Sequence, residues 1–192
     1  MIEPTKRFQA ILSQPHNQIC YDCGTPNPTY SSINNGVLIC QICAQKHTKL
    51  NHLISTVKSL YEEHWSDDEI KFLMLSGNNR FHKMAQEFHL PFDRTFDYKY
   101  STIAANYYRK LVYSELTDSE RPVKPDLVYG QKLMTEEMYK EEGFLEKLKK
   151  NIGYVGEKIT EKTRQAYQAT VNFFTKNKPT PDINSQIPKQ QN

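Results

Sequence analysis

Cys20-Tyr-Asp-Cys23, sixteen further residues, then Cys40-Gln-Ile-Cys43: this stretch holds all four cysteines of the chain and decides its fold. Each CxxC pair turns two thiols toward one point, and a loop of this length lets the second pair fold back onto the first. Four thiolates then enclose one tetrahedral Zn²⁺ and leave no open coordination position. Disulfides do not favour two such tight pairs, and no apolar leader at the N-terminus marks a secreted chain. The spacing predicts one structural zinc ion held by Cys20, Cys23, Cys40 and Cys43.

The residues around the knuckles predict a small antiparallel sheet. Pro26-Asn27-Pro28 forces a turn, and Asn34-Asn35-Gly36 is a hairpin signal joining strands at about 29–33 and 37–39. A helix follows Cys40 to about Leu50, and Ile54 to Leu60 suits a third strand. Upstream, residues 4–18 read as a short helix, in which Phe8, Ile11 and Leu12 recur at helical spacing with Pro4 at the start and Pro15 closing it. Downstream, Asp67-Asp68-Glu69 opens a helix that Gly77 ends, Asn78 starts another that stops by Pro91, and Ser101 caps a third. The fold class is α+β: about three zinc-bound antiparallel strands surrounded by helices, with a long amphipathic helix at the C-terminal end.

The segment from Gly24 to Cys40, with its Pro26-Asn27-Pro28 and Asn34-Asn35-Gly36, resembles the zinc domain of the Arf GTPase-activating proteins (ArfGAP). Ile54 to Leu60, Trp65, Met74 to Asn79 and Tyr100 to Arg109 resemble that family in the same order, so the likeness covers about residues 5–115. The resemblance implies a function for the segment after Cys43. In the family, an arginine separated from the last cysteine by four residues enters the nucleotide site of a small GTPase and neutralises charge in the transition state. Counting past Ala44, Gln45, Lys46 and His47 reaches Thr48, a degenerate finger position with neither charge nor a planar fork of donors. Tyr30, Asn51 and Leu53 also depart from the family's usual residues.

On that count the sequence reads as a non-enzyme with no catalytic residue, a zinc module serving as scaffold or structural subunit of a larger protein assembly. The alternative is an active GTPase activator for an Arf-type small GTPase, in which Lys46, Lys49 or a partner's residue supplies the charge. A third reading, a DNA-binding finger, needs a basic helix and arm after Cys43, whereas a strand and Glu62-Glu63 follow.

Composition sets the outer limits. Net charge is +3 in 192 residues, with cations and anions nearly balanced in both halves, so neither nucleic acid nor anionic membrane is demanded. Membrane contact is expected to be peripheral at most. The compartment expected is intracellular, cytoplasmic or on an organelle-associated assembly. Mean hydropathy is −0.73 and hydrophobic content 38%, low enough to place part of the chain outside a packed core.

Four segments follow: a zinc domain at 5–118, a linker at 119–142 marked by Pro122 and Pro125, an amphipathic helix at 143–176, and a polar tail at 177–192. In the third, Leu145, Leu148, Ile152, Val155, Ile159 and Phe173 keep a three-four alternation. So narrow a stripe on so long a helix needs a surface to cover it, and a protein partner is the expected one.

Overall fold

The computed structural model describes residues 6–61, 64–91 and 94–142. The amphipathic segment at 143–176, with Leu145, Leu148, Ile152, Val155, Ile159 and Phe173, lies outside the described residues, as does the tail.

The sheet has three antiparallel strands, β1 (Tyr30–Ser32), β2 (Val37–Ile39) and β3 (Val57–Ser59), in the order β2-β1-β3. Tyr30 pairs with Ile39 on one side and Ser59 on the other, so the short central strand is bonded along both edges. The turn between β1 and β2 needs a glycine at its end. Gly36 has φ +60°, and a Cβ there would lie 1.8 Å from Ser76 Oγ. Its carbonyl accepts from Gly77 N at 2.8 Å, which ties the hairpin tip to the junction of the helices beyond.

Eight helices surround this sheet among the described residues. They are α1 (Lys6–Leu12), α2 (Gln41–His47), α3 (Asp67–Leu75), α4 (Asn78–Glu87), α5 (Phe96–Ser101), α6 (Ile103–Thr117), α7 (Leu127–Gly130) and α8 (Glu136–Glu142). The single helix expected over 4–18 is split, because Pro15 starts a separate 3₁₀ turn, Pro15–Gln18. Ser66 opens α3 with a reciprocal capping box, its hydroxyl accepting from Glu69 N while Glu69 accepts from Ser66 N. The cap expected at Ser101 is at Thr102 instead, whose hydroxyl accepts from Ala105 N at 3.1 Å; Ser101 is the last residue of α5.

Two apolar clusters form the interior. Phe8, Ile11, Leu38, Leu60, Trp65, Ile70 and Leu73 join α1 and α3 to one side of the sheet. The larger cluster runs from the cysteines through Phe81, Phe88, Tyr100, Tyr108 and Val112. Asn78 staples the two halves. Its Oδ1 accepts from Leu38 N at 2.7 Å, while its Nδ2 donates to the carbonyls of His16 and Ile19.

Residues 119–142, read from the prolines as a linker, carry α7 and α8 and lie against the helices. Ile103 N donates to Lys132 O, Met134 N donates to Ser101 O, and Met134 is buried.

Candidate metal centre and the α2 surface

The first knuckle is a turn, closed by Gly24 N donating to Cys20 O at 2.9 Å, with Gly24 in the left-handed region. The second is the start of α2, with Cys40 at the N-cap and Cys43 in the first turn. Tyr21 N donates to Leu38 O, so the first knuckle is sewn to β2 just ahead of the second. All four Sγ atoms lie within 4.8 Å of one another, and Cys23 Sγ is 3.6 Å from Cys40 Sγ. Zinc–sulfur bonds of about 2.3 Å at tetrahedral angles put thiolates ~3.8 Å apart, so the cluster fits one structural Zn²⁺.

The thiols are unlike one another. The Thr25 hydroxyl and amide draw Cys23 down to about 6, whereas burial pushes Cys20 and Cys43 up. Buried thiolates need a compensating charge, and the ion would supply it while locking β1, β2 and α2 together. With four thiolates bound it has no position for substrate, so its contribution is structural.

A buried polar chain leads away from this centre. The Asp22 carboxylate accepts from Tyr100 OH at 2.7 Å, Lys99 Nζ at 3.2 Å and His47 Nε2 at 3.0 Å. His47 Nδ1 lies 2.7 Å from Ser55 Oγ, and Ser55 Oγ 2.8 Å from Ser32 Oγ. Asn35 fixes the direction of the protons. Its Nδ2 donates to both Ser32 Oγ and Ile54 O, and its Oδ1 accepts from Arg109 Nη1 at 3.0 Å. Ser32 therefore donates to Ser55, Ser55 to His47 Nδ1, and His47 Nε2–H to Asp22.

Burial alone would raise the Asp22 carboxyl. The hydrogen bond from His47, the charge of Lys99 and the Tyr100 hydroxyl outweigh burial and hold Asp22 below the ordinary carboxylate range. The rings of Phe96 and Tyr100 pack edgewise on His47 at 4.7 and 4.6 Å. Ser55 is buried, so this Asp-His-Ser alignment is a brace rather than a nucleophilic site.

By sequence His47 sits within reach of the second knuckle as a possible ligand that four thiolates leave unneeded; the structure makes it the hub between knuckle, sheet and α5. Its partners lie 25 and 8 residues away with no periodicity to reveal them. A histidine at the end of a helix that begins with two metal ligands was the one available signal.

That brace holds up an exposed surface. Ile42, Gln45, Lys46, Thr48 and Lys49 are all exposed, and Ile42 is 70% so. Thr48 caps α2, its hydroxyl donating to Gln45 O at 2.9 Å. Lys49 lies past the end of the helix, in a turn where its N–H donates to Lys46 O at 3.1 Å. Lys49 thus lies outside the regular spacing of α2. Among the described residues no helix is long and apolar enough to cross a membrane.

Comparison with known proteins addresses the same region. The ArfGap family, described as "Putative GTPase activating protein for Arf", matches residues 5–117. The Arabidopsis thaliana "Probable ADP-ribosylation factor GTPase-activating protein AGD13" is 37% identical over 86 residues, covering 45% of this chain and 26% of that protein. The Mus musculus "ADP-ribosylation factor GTPase-activating protein 3" is 29% identical over 133 residues, covering 66% of this chain and 25% of that one. The match thus spans about a quarter of the length of these relatives. A Cryptosporidium parvum crystal structure, described as a "putative GTPase activating protein for ADP ribosylation factor", superposes with TM-score 0.54 at 27% identity. That superposition covers 57% of this chain and 88% of the other.

These findings overturn the expectation that Thr48 makes the chain a non-enzyme. The relatives matched across the zinc domain are named as GTPase-activating proteins, and exposed cations stand on either side of that one position. With its family matched over 5–117, and with the cysteine cluster and three-stranded sheet inside that span, the chain belongs to the ArfGap family.

Proposed function

We propose that the zinc-held domain is a GTPase-activating module for an Arf-type small GTPase and meets the nucleotide with the exposed end of α2. The match of the family over residues 5–117, the span that contains the cysteine cluster, carries this reading. The names of the relatives support the choice of GTPase.

The chemistry asks for positive charge at the transferring phosphoryl group and for a rigid mount that spends no energy reorganising. Lys46 and Lys49 flank Thr48 in the open, and the hydrogen bonds to Asp22 and Ser55 fix His47, next to Thr48. An ammonium supplies a point charge without a guanidinium's two-pronged geometry. Stimulation is therefore expected below the roughly 10³ to 10⁵ typical of an arginine finger.

Single-turnover GTP hydrolysis on Arf-type GTPases tests the reading. The zinc-loaded chain is expected to accelerate hydrolysis, the double variant Lys46→Ala/Lys49→Ala to lose most of that acceleration, and Thr48→Arg to increase it. Stimulation that survives the double variant intact would remove the lysines from the mechanism.

A further inference from the structure

The face built by α6 and residues 122–138 takes no part in the zinc centre or the α2 surface. There Ile103, Tyr107, Val123, Pro125, Tyr129 and Met138 contribute to the lining of a groove of about 650 Å³. Of the eight large hydrophobics exposed among the described residues, five fall between 123 and 133, with Val123 94% and Val128 73% exposed. Side chains scattered singly need no explanation, but a cluster beside a groove marks a surface that something covers.

The backbone beneath this patch is firmly placed. Gly130 lets α7 lie directly on the Phe88 ring, where a Cβ would come within 2.4 Å of Cδ1. Gln131 Nε2 donates to Phe88 O at 3.0 Å, and Tyr98 OH donates to Gln131 O at 2.7 Å. Thr102 and Leu133 form an antiparallel bridge. The apolar groups are thus held outward by a docked segment.

The sequence supplies an occupant. α8 is described as far as Glu142, and its Met138 stands in the groove wall. Beyond it, Leu145, Ile152 and Ile159 continue from Met138 in steps of seven, with Leu148 and Val155 between them. Gly143, in the sequence between Met138 and Leu145, is the residue type that most readily ends a helix and lets a chain change direction. We propose that the apolar stripe at 145–159 of this same chain covers the groove between α6 and residues 122–138. The short tether favours this occupant. A stripe that starts seven residues past Met138 sits at an effective concentration of order millimolar, with which a free partner must compete. The stripe that the sequence analysis assigned to a protein partner would then find its cover in cis, whatever the α2 surface does.

Hydroxyl-radical labelling of the full chain, read residue by residue, tests this. In the variant Leu148→Ser/Ile152→Ser/Ile159→Ser, labelling of Leu127, Tyr129 and Leu133 is expected to rise severalfold, with zinc content and the labelling of Ile42 unchanged. The reciprocal variant Val123→Ser/Val128→Ser alters only exposed side chains. It is expected to raise the labelling of Leu148 and Ile152 severalfold. Unchanged labelling in both variants would overturn the proposal. So would protection that grows with protein concentration, which assigns the groove to a second copy, or protection that appears only when an Arf-type GTPase is added.

Discussion

The exposed end of α2 and the face at 122–138 are built from opposite materials. The first is charged outside and polar beneath: Lys46 and Lys49 stand over a buried run of hydrogen bonds from Asp22 to Arg109. The second is apolar outside and held by docked backbone, through Thr102, Gln131 and Gly130. The difference teaches what each can meet. A satisfied buried network gives a geometry that cannot be approximated, because each unmade bond costs the full desolvation of its group. That suits a surface that must hold charge at a phosphate. An apolar groove tolerates small shifts of its occupant, which suits a tethered stripe.

The largest effect expected separates the two faces by their dependence on metal. Structural zinc in small domains carries roughly 10–16 kcal/mol of apparent binding energy. Chelation, followed by circular dichroism and hydrogen exchange, is therefore expected to abolish the protection of β1, β2 and α2 first. If those elements keep their protection in a zinc-free sample, the cysteine cluster does not hold the fold.

His47→Ala comes next, and it breaks the polar face alone. It leaves the Asp22 carboxylate and the Ser55 hydroxyl each short of a partner and opens a cavity beneath Phe96 and Tyr100. A loss of about 3 kcal/mol or more in thermal or denaturant unfolding is expected. A loss under about 0.5 kcal/mol, the range of ordinary surface changes, would show that the brace is not a structural element.

Val128→Ser sharpens the comparison from the other side. This exposed residue lies outside the interior clusters, so stability should stay within about 0.5 kcal/mol and hydrolysis should not change. A fall in hydrolysis would tie the two faces together functionally.

What the sequence disclosed followed from local chemistry. Paired thiols at fixed spacing can do little else than bind one ion, and Asn34-Asn35-Gly36 demands a turn wherever it lies. The Ser66–Glu69 box was written in adjacent residues, although the acids at 67–69 drew attention first. The buried chain could not be seen, because Asp22, His47, Ser55 and Arg109 come together only when knuckle, sheet and α6 pack. Pro122 and Pro125 suggested a linker, since the pairing of Thr102 with Leu133 has no local trace. The reading of Thr48 failed for a related reason: one position stood for a surface, and the exposure of Lys46 and Lys49 beside it is visible only in the fold.

The most direct test of the central claim is single-turnover hydrolysis of GTP by Arf-type GTPases, measured with the zinc-loaded chain and again after chelation. A zinc-held activating module predicts acceleration that depends on the concentration of the chain and vanishes with the metal. No acceleration of any Arf-type GTPase by the zinc-loaded, folded chain would contradict it.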